Sequence, residues 1–544
     1  MGITACFILF VISTTGVNIT EPVDGETYDG DWLTVRAIVE NENEIPDYVQ
    51  YSLNGQPVID IPRLNTDWYT YMQNDLHHGF SESPAPTDNT ILWTAPVTGE
   101  IHEFPTPVIV DGIVYYPSDY LGTDSLYALN AATGELIWKY RVGVTDDAVT
   151  VKNGYLYTAS DSMWCLDAYT GERIWATGAA GMTGSTPAVV NGRVYCGLAS
   201  YGVSGRSCVC CFDAVTGAEI WCDTLSGGMA SCMTAWNNLV FIPTWISAGE
   251  APLYALDANT GLIIWKNFDS YGGYWDSSPV VVDSLIYIGG EDGRARAIDA
   301  MTGITVWESD ITADVKYIAA TLAYHEDRLY FGDQIDSFHC LDAFTGSTIW
   351  SVPGIQHGSP GIADGIVFYG EYYNPDNSRV FALDCDTGEE IWSYRTSAEY
   401  IRSSPAITDG VVYIAGEDWN LYAFGTGLKY TYRDDLFAEV GLNELIVTSF
   451  DEGVPVAADT IGFTVTGTGI NLEPSRRLGF RASPNPFHST ASISFELSEP
   501  GFTSVEVYDL SGRMVSSLVS TELDAGAHSV QWDGRSRNGE PAAS

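Results

Sequence analysis

The side chains with the greatest chemical reactivity in this sequence are its ten cysteines and eight histidines. None shows the spacing of a zinc site or of a Cys-x-x-Cys-His haem attachment, so the sequence predicts no metal-binding residues. Within one short stretch, one or two disulfides are expected in an oxidising compartment, among Cys196, Cys208, Cys210, Cys222 and Cys232. We expect three further cysteines to be buried and to pack as small hydrophobic residues, namely Cys165, Cys211 and Cys340. The histidines expected to be structural or solvated are His77, His78 and His357.

Acid–base catalysis by aspartate is a second possible chemistry, because one Asp recurs in a fixed phrase. Seven times an Asp (once Asn) is followed by two residues, Thr-Gly, three more residues and Trp. The phrases begin at Asn130, Asp167, Asp213, Asp257, Asp299, Asp342 and Asp384. They end at Trp138, Trp175, Trp221, Trp265, Trp307, Trp350 and Trp392. A carboxylate in this position can accept backbone N–H bonds two residues further on, which holds a turn. We therefore interpret the repeated acids as turn residues and assign no catalytic residue.

The phrases also identify the elements that must position any site. Successive tryptophans recur at intervals of roughly 40 residues, which is the length of a four-stranded propeller blade. In one copy an apolar run precedes Asp257, Gly261 supplies a positive φ, and Trp265 ends the next strand with a ring that requires burial. The same roles are expected in every copy, for example for Asp167, Gly171 and Trp175.

Each phrase is preceded by another hairpin with an Asp-Gly or Asn-Gly turn, as in Thr106–Tyr116, so one repeat contains four strands, a to d. An eighth copy, Ser404–Phe424, supplies strands a, b and c but no Trp. We expect Ile91–Trp93 to dock beside Leu421–Phe424 and close a ring of eight blades, which removes open sheet edges. Lys429–Tyr432 is the alternative occupant of that place.

Residues 67–427 resemble the pyrroloquinoline-quinone (PQQ)-like propeller repeat proteins. The resemblance rests on the repeats and on Asp67-Trp68, Met72, Asp75, His78-Gly79, Ser81 and Leu92-Trp93. It implies an all-β fold, an eight-bladed β-propeller of PQQ-like repeats, here flanked by immunoglobulin-like β-sandwich domains. The family includes quinoprotein dehydrogenases and non-catalytic propellers, among them the lipoprotein of the outer-membrane β-barrel assembly machine. The resemblance therefore predicts the fold much more specifically than the function.

The dehydrogenases of that family use an adjacent Cys-Cys disulfide, a calcium ion and an Asp base around PQQ. Cys210-Cys211 has the required adjacency. However, the pair falls inside strand c of its repeat, where neighbouring side chains point to opposite faces of the sheet. Calcium ligands and a base cannot be assigned. We therefore expect no cofactor, and PQQ with calcium belongs only to an alternative dehydrogenase function.

Residues 476–544 differ in character from the repeats. Asn485-Pro-Phe487, Val505–Arg513 and Trp532-Asp-Gly534 follow one another at strand spacing. This series resembles the C-terminal sorting domain of type IX secretion cargo and the similar immunoglobulin-like module of flagellar hook-capping proteins. The resemblance implies export to the extracellular space or the cell surface of a diderm bacterium, with the secretion machinery as a partner. The family pattern ends with one more strand, so the chain is expected to be truncated.

Two further β-rich pieces flank the repeats. Residues 17–64 and 428–470 are each short for an independent domain, so we expect them to form one immunoglobulin-like domain into which the propeller is inserted. Residues 1–16 contain a short apolar core, Ala5–Ile12, and resemble the remnant of a signal peptide. This core is too short to cross a bilayer, and no other segment suggests an integral membrane protein.

The formal net charge is −47, from 24 Lys and Arg against 71 Asp and Glu. Nucleic acid and anionic membranes are poor partners for such a surface. Enlarged b–c loops favour a binding role instead, since b–c and d–a loops emerge on one face of a propeller. The aromatic residues expected on that face are Tyr271, Tyr274, Trp275, Tyr317 and Tyr400. They predict a non-catalytic binding protein with a protein or polysaccharide ligand, unless the rings only fill gaps between blades. The alternatives are a quinoprotein dehydrogenase and an outer-membrane assembly scaffold.

Overall fold

A computed structural model describes the fold of this chain as all-β, with no helix among the described residues. Accordingly, no helix in that part of the chain is long and apolar enough to span a membrane. The predicted signal peptide lies outside the described residues, apart from Gly16. The backbone is described for residues 16–532, except 24–26, 30–31, 42–47, 54–58, 98–105, 119–124, 144–147, 161, 178–184, 200–205, 230, 246–250, 269, 271, 310, 312–316, 438–440, 452–453, 467–480, 484–490, 498–500, 509–513 and 524–525.

Seven strands precede the first complete repeat: β1 (Gly16–Glu21), β2 (Thr27–Asp29), β3 (Trp32–Asn41), β4 (Tyr48–Leu53), β5 (Ile59–Ile61), β6 (Phe80–Ser81) and β7 (Ile91–Pro96). The first four repeats contain β8 (Val108–Val110), β9 (Ile113–Ser118), β10 (Ser125–Asn130), β11 (Leu136–Arg141), β12 (Thr150–Lys152), β13 (Tyr155–Ala159), β14 (Met163–Asp167), β15 (Arg173–Thr177), β16 (Ala188–Val190), β17 (Arg193–Ala199), β18 (Arg206–Asp213), β19 (Glu219–Ser226), β20 (Thr234–Trp236), β21 (Leu239–Ile242), β22 (Leu253–Asp257) and β23 (Ile263–Asn267).

The remaining repeats contain β24 (Val280–Val282), β25 (Leu285–Gly289), β26 (Ala295–Asp299), β27 (Thr305–Glu308), β28 (Ala323–His325), β29 (Arg328–Gly332), β30 (Ser337–Asp342), β31 (Thr348–Pro353), β32 (Gly361–Ala363), β33 (Ile366–Gly370), β34 (Arg379–Asp384), β35 (Glu390–Arg395), β36 (Ala406–Thr408), β37 (Val411–Gly416) and β38 (Asn420–Phe424). The C-terminal strands are β39 (Leu428–Phe437), β40 (Gly441–Asp451), β41 (Val454–Thr466), β42 (Arg481–Ser483), β43 (Ala491–Leu497), β44 (Gly501–Tyr508), β45 (Met514–Leu523) and β46 (Gly526–Trp532).

Strands β6 to β38 form a β-propeller of repeated antiparallel sheets. In the described residues, eight sheets follow the predicted a-b-c-d hairpin order, and one of them carries β6 as a fifth, parallel strand beside β32. The eighth sheet has the order β36-β37-β38-β7. Its register places Trp93 opposite Ala423, so the predicted docking of the early strand is confirmed and the alternative occupant is excluded.

The repeated phrase acts as predicted. Asp257 Oδ1 accepts hydrogen bonds from the backbone of Asn259 and Thr260, at 3.1 and 2.8 Å, which holds the c–d turn. Gly261 has φ +73°, and a Cβ there would lie 2.7 Å from Cε3 of Trp221 in the preceding repeat. Because each tryptophan ring occupies this space, the repeat requires glycine for packing as well as for backbone conformation.

The tryptophans join consecutive sheets. Trp175 Nε1 donates to the Ala214 carbonyl at 3.1 Å, and Trp265 Nε1 donates to the Ala300 carbonyl at 3.0 Å. Trp93 repeats this arrangement at the closure, where its Nε1 donates to the Ala131 carbonyl at 2.9 Å. Trp93 is therefore the missing eighth tryptophan of the repeat pattern.

The two flanking pieces share sheets. Strand β3 pairs with β39 in the sheet β1-β3-β39, and β4 pairs with β40 in the sheet β2-β41-β40-β4-β5. These strands lie within the first of two compact units, residues 1–465, except for Thr466 at the end of β41, and the second unit is residues 466–544. The second unit contains the sheets β42-β43-β46 and β44-β45.

Candidate binding site at the channel mouth

The central channel of the propeller is closed at one end by the segment Thr66–Ser81. At the ends of the inner strands, Trp68 exchanges two backbone hydrogen bonds with Ile109, of 2.9 and 2.8 Å. Further backbone bonds from the segment to innermost strands join Tyr69 to Val151, Leu76 to Val281, His78 to Tyr324 and Gly79 to Ile362. The segment therefore contacts inner strands around the ring, close to the a–b turns, and we call it the floor.

Buried side chains of the floor fill the channel at this level. Trp68, Tyr71, Met72 and His77 are between 0% and 6% exposed. Burial lowers the pKa of His77 to about 3, so its ring is neutral. Its Nδ1 lies 3.2 Å from the Pro279 carbonyl oxygen, which can only accept, and 3.0 Å from Thr234 Oγ1. His77 and its neighbour His78 are thus structural, as the sequence suggested.

Above the floor, the residues just before several inner strands are linked by hydroxyl groups. In each link, a Ser or Thr hydroxyl accepts the backbone N–H of the equivalent residue in the preceding repeat, at 2.8 to 2.9 Å. The links run from Cys232 to Ser278, to Thr321, to Ser359 and to Ser404, and we call them the ladder. Tyr71 of the floor reaches this ladder, with its Oη 3.1 Å from Thr321 Oγ1 and 2.7 Å from Ser359 Oγ.

The opposite end of the channel, which we call the mouth, is lined by aromatic rings from loops of different repeats. Trp245 follows β21, Trp275 precedes β24, His357 precedes β32, Tyr372 follows β33 and Tyr400 precedes β36. The ring centroids are 5.9 Å apart from Trp245 to Trp275, 6.1 Å from Trp275 to His357, 4.7 Å from His357 to Tyr372 and 5.7 Å from Tyr372 to Tyr400. We call this series the aromatic belt.

Tyr373 extends the belt to the surface. Its ring centroid lies 4.8 Å from that of Tyr400, and its side chain is 42% exposed. Backbone bridges hold the loops in place, one between Tyr373 and Tyr400 and others that join Trp245 to Gly228 and Gly273. The loops of the belt are therefore held in place. The rings of Trp245, Trp275, Tyr372 and Tyr400 are partly exposed, whereas His357 is buried.

Two charged side chains beside the belt, Arg402 and Glu417, form an ion pair. The Arg402 guanidinium lies 5.7 Å from the Tyr372 ring centroid and 5.3 Å from that of Tyr400, and its Nε is 3.0 Å from Glu417 Oε1. Burial, together with the nearby Arg402 charge, lowers the pKa of His357 to about 3, so this ring is uncharged at neutral pH. Arg402 thus occupies the cation-binding faces of two rings and is itself paired with a carboxylate.

Several buried donors at the mouth, Gln334 Nε2 among them, have no hydrogen-bond partner among the described residues, and two of them lie at the aromatic belt. One is Nε2 of Gln356, whose side chain is 0% exposed and whose Oε1 accepts the Gly332 N–H at 2.6 Å. The other is Nε1 of Trp245. Buried donors are normally satisfied, so unpaired ones indicate a place where a bound molecule or water would complete the bonding.

Of the residues predicted for this face, the structure brings Trp275 and Tyr400 together in the belt. Tyr274 was wrongly expected to be exposed: it is fully buried, and its Oη donates to Asn267 Oδ1 at 3.0 Å, because the turn directs it between blades. Tyr317 is 37% exposed, and within the described part of the chain its ring makes no contact with the belt. Tyr271 lies outside the described residues.

Sequence reasoning missed several residues at the mouth, namely Trp245, Tyr372, Tyr373 and Arg402. It expected His357 to be structural or solvated, and the structure buries this ring within the belt. Trp245 stands directly before an enlarged b–c loop, and Tyr372 and Tyr373 stand within another. The extra length of these loops relative to the other repeats could have identified them as candidates for the mouth. It could not have shown which loops contact each other.

The cysteines agree with the sequence analysis, which expected a disulfide in this stretch and argued against the adjacent Cys210-Cys211 pair. Cys210 is bonded to Cys222 of the neighbouring strand, whereas Cys211 is a free, buried thiol. The adjacent disulfide of the dehydrogenase alternative is therefore not formed, because successive side chains of β18 face opposite sides of the sheet. Cys165 and Cys340 are free and buried, as expected.

The same cross-strand position carries different chemistry in other repeats. At the c–d register of Cys210 and Cys222, Lys139 Nζ lies 4.3 Å from the Tyr127 ring centroid, and Arg296 Nε lies 3.0 Å from Glu308 Oε1. The disulfide thus replaces a structural pair within one blade.

The described residues also contain no group of three or more His, Cys, Asp and Glu suited to a metal ion.

Comparisons with known proteins agree with this fold. A family model described as outer membrane protein assembly factor BamB matches residues 84–208, 165–317 and 291–427. A model of the FlgD Ig-like domain matches residues 483–544, which confirms the resemblance to the hook-capping module.

Among curated proteins, the chain is 25% identical over 364 residues to the tetrathionate hydrolase of Acidithiobacillus ferrooxidans, covering 58% of this chain and 71% of the relative. It is 24% identical over 362 residues to BamB of Salmonella typhimurium, covering 61% and 88%.

Among solved structures, quinohemoprotein alcohol dehydrogenase from Comamonas testosteroni is similar, with a TM-score of 0.56, 16% identity and coverage of 69% of this chain and 81% of that one. A europium-containing methanol dehydrogenase has a TM-score of 0.55, 15% identity and coverage of 68% and 98%. At these identities the structures support the fold alone. The family model, in contrast, covers more than half of the sequence, and the chain therefore belongs to the family of PQQ-like repeat propellers described by the outer membrane protein assembly factor BamB.

Proposed function

We propose that this protein is an eight-bladed, non-catalytic binding propeller of the cell surface or the extracellular space. Its ligand, a protein or a glycan, would occupy the mouth of the central channel. The aromatic belt is the observation that carries this proposal, because five rings from separate loops form one partly open surface there. Ligand sites are typically concave, mostly apolar and supplied with a few polar groups, which describes this end of the channel.

Site-specific photo-cross-linking in cells tests the proposal while the ligand is still unidentified. The variant Tyr373→p-benzoylphenylalanine places the photoreactive group on the exposed ring at the mouth. The control, Phe344→p-benzoylphenylalanine, places it on a c–d turn, where Phe344 is 64% exposed. We expect a discrete adduct from position 373 and none from position 344. Absence of an adduct at both positions, or identical adducts from both, would contradict binding at the mouth.

The dehydrogenase alternative is supported by similarity to quinoprotein structures and by the shared fold. It is tested by titrating the full chain with PQQ and calcium, followed by a dye-linked alcohol oxidation assay. We expect no turnover, since Cys210 is bonded to Cys222 rather than to Cys211. Turnover that is saturable in PQQ would replace the binding proposal by an enzymatic one.

The scaffold alternative is supported by the match to Salmonella BamB, of which 88% is covered. It differs from our proposal in location, because a scaffold for assembly in the outer membrane would be inaccessible from outside the cell. Protease treatment of intact cells separates the two. We expect degradation of the propeller, whereas complete protection would favour the scaffold.

We further propose that residues 476–544 direct export by a type IX-like system. The FlgD Ig-like match supports an immunoglobulin-like module there. Deletion of 476–544 should retain the protein inside the cell, and secretion of the truncated chain would disprove the assignment.

The shared sheets of β3 with β39 and β4 with β40 support our proposal that residues 17–64 and 428–470 form one domain with the propeller inserted. Deletion of 17–64 should then expose 428–470 to protease. Continued resistance of 428–470 would show that the two pieces are separate.

A further inference from the structure

We propose that the ligand of the mouth is a neutral oligosaccharide or polysaccharide chain, held by ring stacking and by the two unpaired donors at the belt. This inference rests on the proposed binding function and names the chemical class of its ligand. It follows from three properties of the mouth, namely its exposed ring faces, its unsatisfied donors and its charge.

The ring faces suit the apolar C–H faces of sugar rings. Tyr373 is 42% exposed and lies beside Tyr400, while Trp245 and Trp275 form a second, partly covered pair. The intervening rings of His357 and Tyr372 connect these pairs into a continuous surface. Aromatic residues provide large contact areas at a low conformational cost, and a series of them matches a chain of repeated flat units better than a single compact ligand.

The unpaired donors suit sugar hydroxyl groups. The Gln356 Nε2 and Trp245 Nε1 groups are buried and lack partners among the described residues. A hydroxyl oxygen can accept from either group while it donates elsewhere. A purely apolar ligand would leave both donors unsatisfied, which carries a desolvation cost.

The charges exclude the main competing ligand classes. An anionic chain would meet Glu371, Glu417 and a protein with a net charge of −47, and the nearby Arg402 is already paired with Glu417. A cationic group would find the faces of Tyr372 and Tyr400 occupied by the Arg402 guanidinium. A neutral chain meets no charge repulsion, and it can stack on the exposed ring of Tyr373, beside the two ring faces that Arg402 covers.

The backbone of the mouth argues against an extended peptide. Peptides that add a strand to a sheet need unpaired backbone groups along an edge. Here, bridges pair Tyr373 with Tyr400, and Trp245 with both Gly228 and Gly273. In the described part of the mouth, these pairings favour recognition through side chains, as for sugars.

The test is isothermal titration of the full chain with neutral hexasaccharides of glucose, mannose and N-acetylglucosamine, and with acidic hexagalacturonate. We expect at least one neutral hexasaccharide to bind and the acidic one to bind at least about tenfold more weakly. Tyr373→Ala should weaken neutral binding about tenfold, a typical effect of losing a stacked ring. Trp245→Phe, which keeps a ring but removes the donor, should weaken it several-fold. Phe344→Ala, on the exposed c–d turn, should leave it unchanged.

Failure of any neutral hexasaccharide to bind more tightly than hexagalacturonate would overturn the inference, as would unchanged affinity in Tyr373→Ala. The photo-cross-link at position 373 separates this result from failure of the binding function itself. An adduct destroyed by periodate supports the sugar ligand. An adduct destroyed only by protease would disprove the sugar ligand while retaining a binding role for the mouth, and no adduct would remove both.

Discussion

The two ends of the channel use similar residues in opposite ways. At the floor, buried aromatic and polar side chains are bonded to inner strands around the ring, and Tyr71 alone reaches two hydroxyl groups of the ladder. At the mouth, aromatic rings contact mainly each other, one of them is 42% exposed, and several buried donors are unpaired among the described residues. The comparison shows that the floor is bonded to inner strands around the ring and is buried, although Trp68 Nε1 there also lacks a partner among the described residues. The mouth, in contrast, combines unpaired donors with an exposed aromatic ring that a ligand can reach.

The largest expected effect concerns the floor. Gly79 has φ +67°, and a Cβ there would lie 3.0 Å from Ala323 Cβ and 3.2 Å from the Pro360 carbonyl oxygen. Gly79→Ala should therefore destabilise the protein by about 3 kcal/mol, because backbone strain and overpacking act together.

The matched control for this substitution is Gly112→Ala. Gly112 has φ +73°, and an added Cβ would meet no atom within 4 Å. This variant should cost only about 1 kcal/mol, because the backbone strain is present without the clash. Urea unfolding of both variants measures the difference, and equal effects would show that the floor is loosely packed.

Removal of one hydroxyl at each end provides the second comparison. The buried Oη of Tyr71 contacts Thr321 and Ser359. Tyr71→Phe should destabilise the protein by about 2 kcal/mol, since it leaves buried polar groups without a partner. The side chain of Tyr373, in contrast, is 42% exposed. Tyr373→Phe should change stability by less than about 0.5 kcal/mol.

Thermal unfolding followed by circular dichroism checks both hydroxyl variants. A larger loss of stability from Tyr373→Phe than from Tyr71→Phe would contradict the assignment of a structural end and a binding end.

The third prediction concerns pH. Burial, and then the nearby Asp111, raise the pKa of Asp67 in the floor to about 6. Because this folded-state pKa is above the ordinary value of about 4, the contribution to stability is complete at lower pH and is lost as pH rises through the folded-state pKa. Asp67→Asn mimics the protonated form and should raise stability at pH 8 by about 1 kcal/mol, with little change at pH 4.

Urea unfolding of wild type and Asp67→Asn across this pH range tests the sign. A variant that is less stable than wild type at pH 8 would show that the Asp67 carboxylate is favourably paired. Asp75 offers a comparison within the floor, because it is already paired with Lys152, and Asp75→Asn should not stabilise the protein at pH 8.

The smallest expected effect is at the mouth. Tyr373→Ala should change the free energy of unfolding by less than about 0.5 kcal/mol, because surface substitutions outside packed or bonded positions have small effects. Differential scanning calorimetry would detect a larger change. A clear loss of stability would mean that the belt is part of the core and would weaken the binding proposal.

The repeated parts of the fold could be predicted from sequence because each copy confirms the others. The roles of Asp257, Gly261 and Trp265 follow from local turn chemistry and periodicity. The structure reproduces them in the bonds of the c–d turn and in the space beside the glycine. The position of Trp93 was predictable because the eighth copy of the repeat lacks its fourth strand and its tryptophan, so another segment had to supply both.

The mouth was only partly predictable, because it depends on contacts between loops that are distant in sequence. Trp275 and Tyr400 were identified from their position before inner strands, but the ring that joins one side to the other is His357, which sequence alone suggested to be structural or solvated. Tyr274 is fully buried, whereas its neighbour in sequence, Trp275, is partly exposed. In an irregular loop, no periodicity determines which of two neighbours faces outward.

The pairing of β7 with β38 also has consequences for the order of events during synthesis. Strand β7 precedes every complete repeat along the chain, β38 is the last strand of the eight-sheet series, and the two supply parts of one sheet. The ring of sheets therefore cannot close until nearly the whole propeller has been synthesised. The conformational entropy lost in bringing such distant segments together is then lost at a late stage of folding. Until then the first and last sheets expose unpaired edges. A chain that crosses membranes before this step would travel open and become resistant to proteolysis only at its destination.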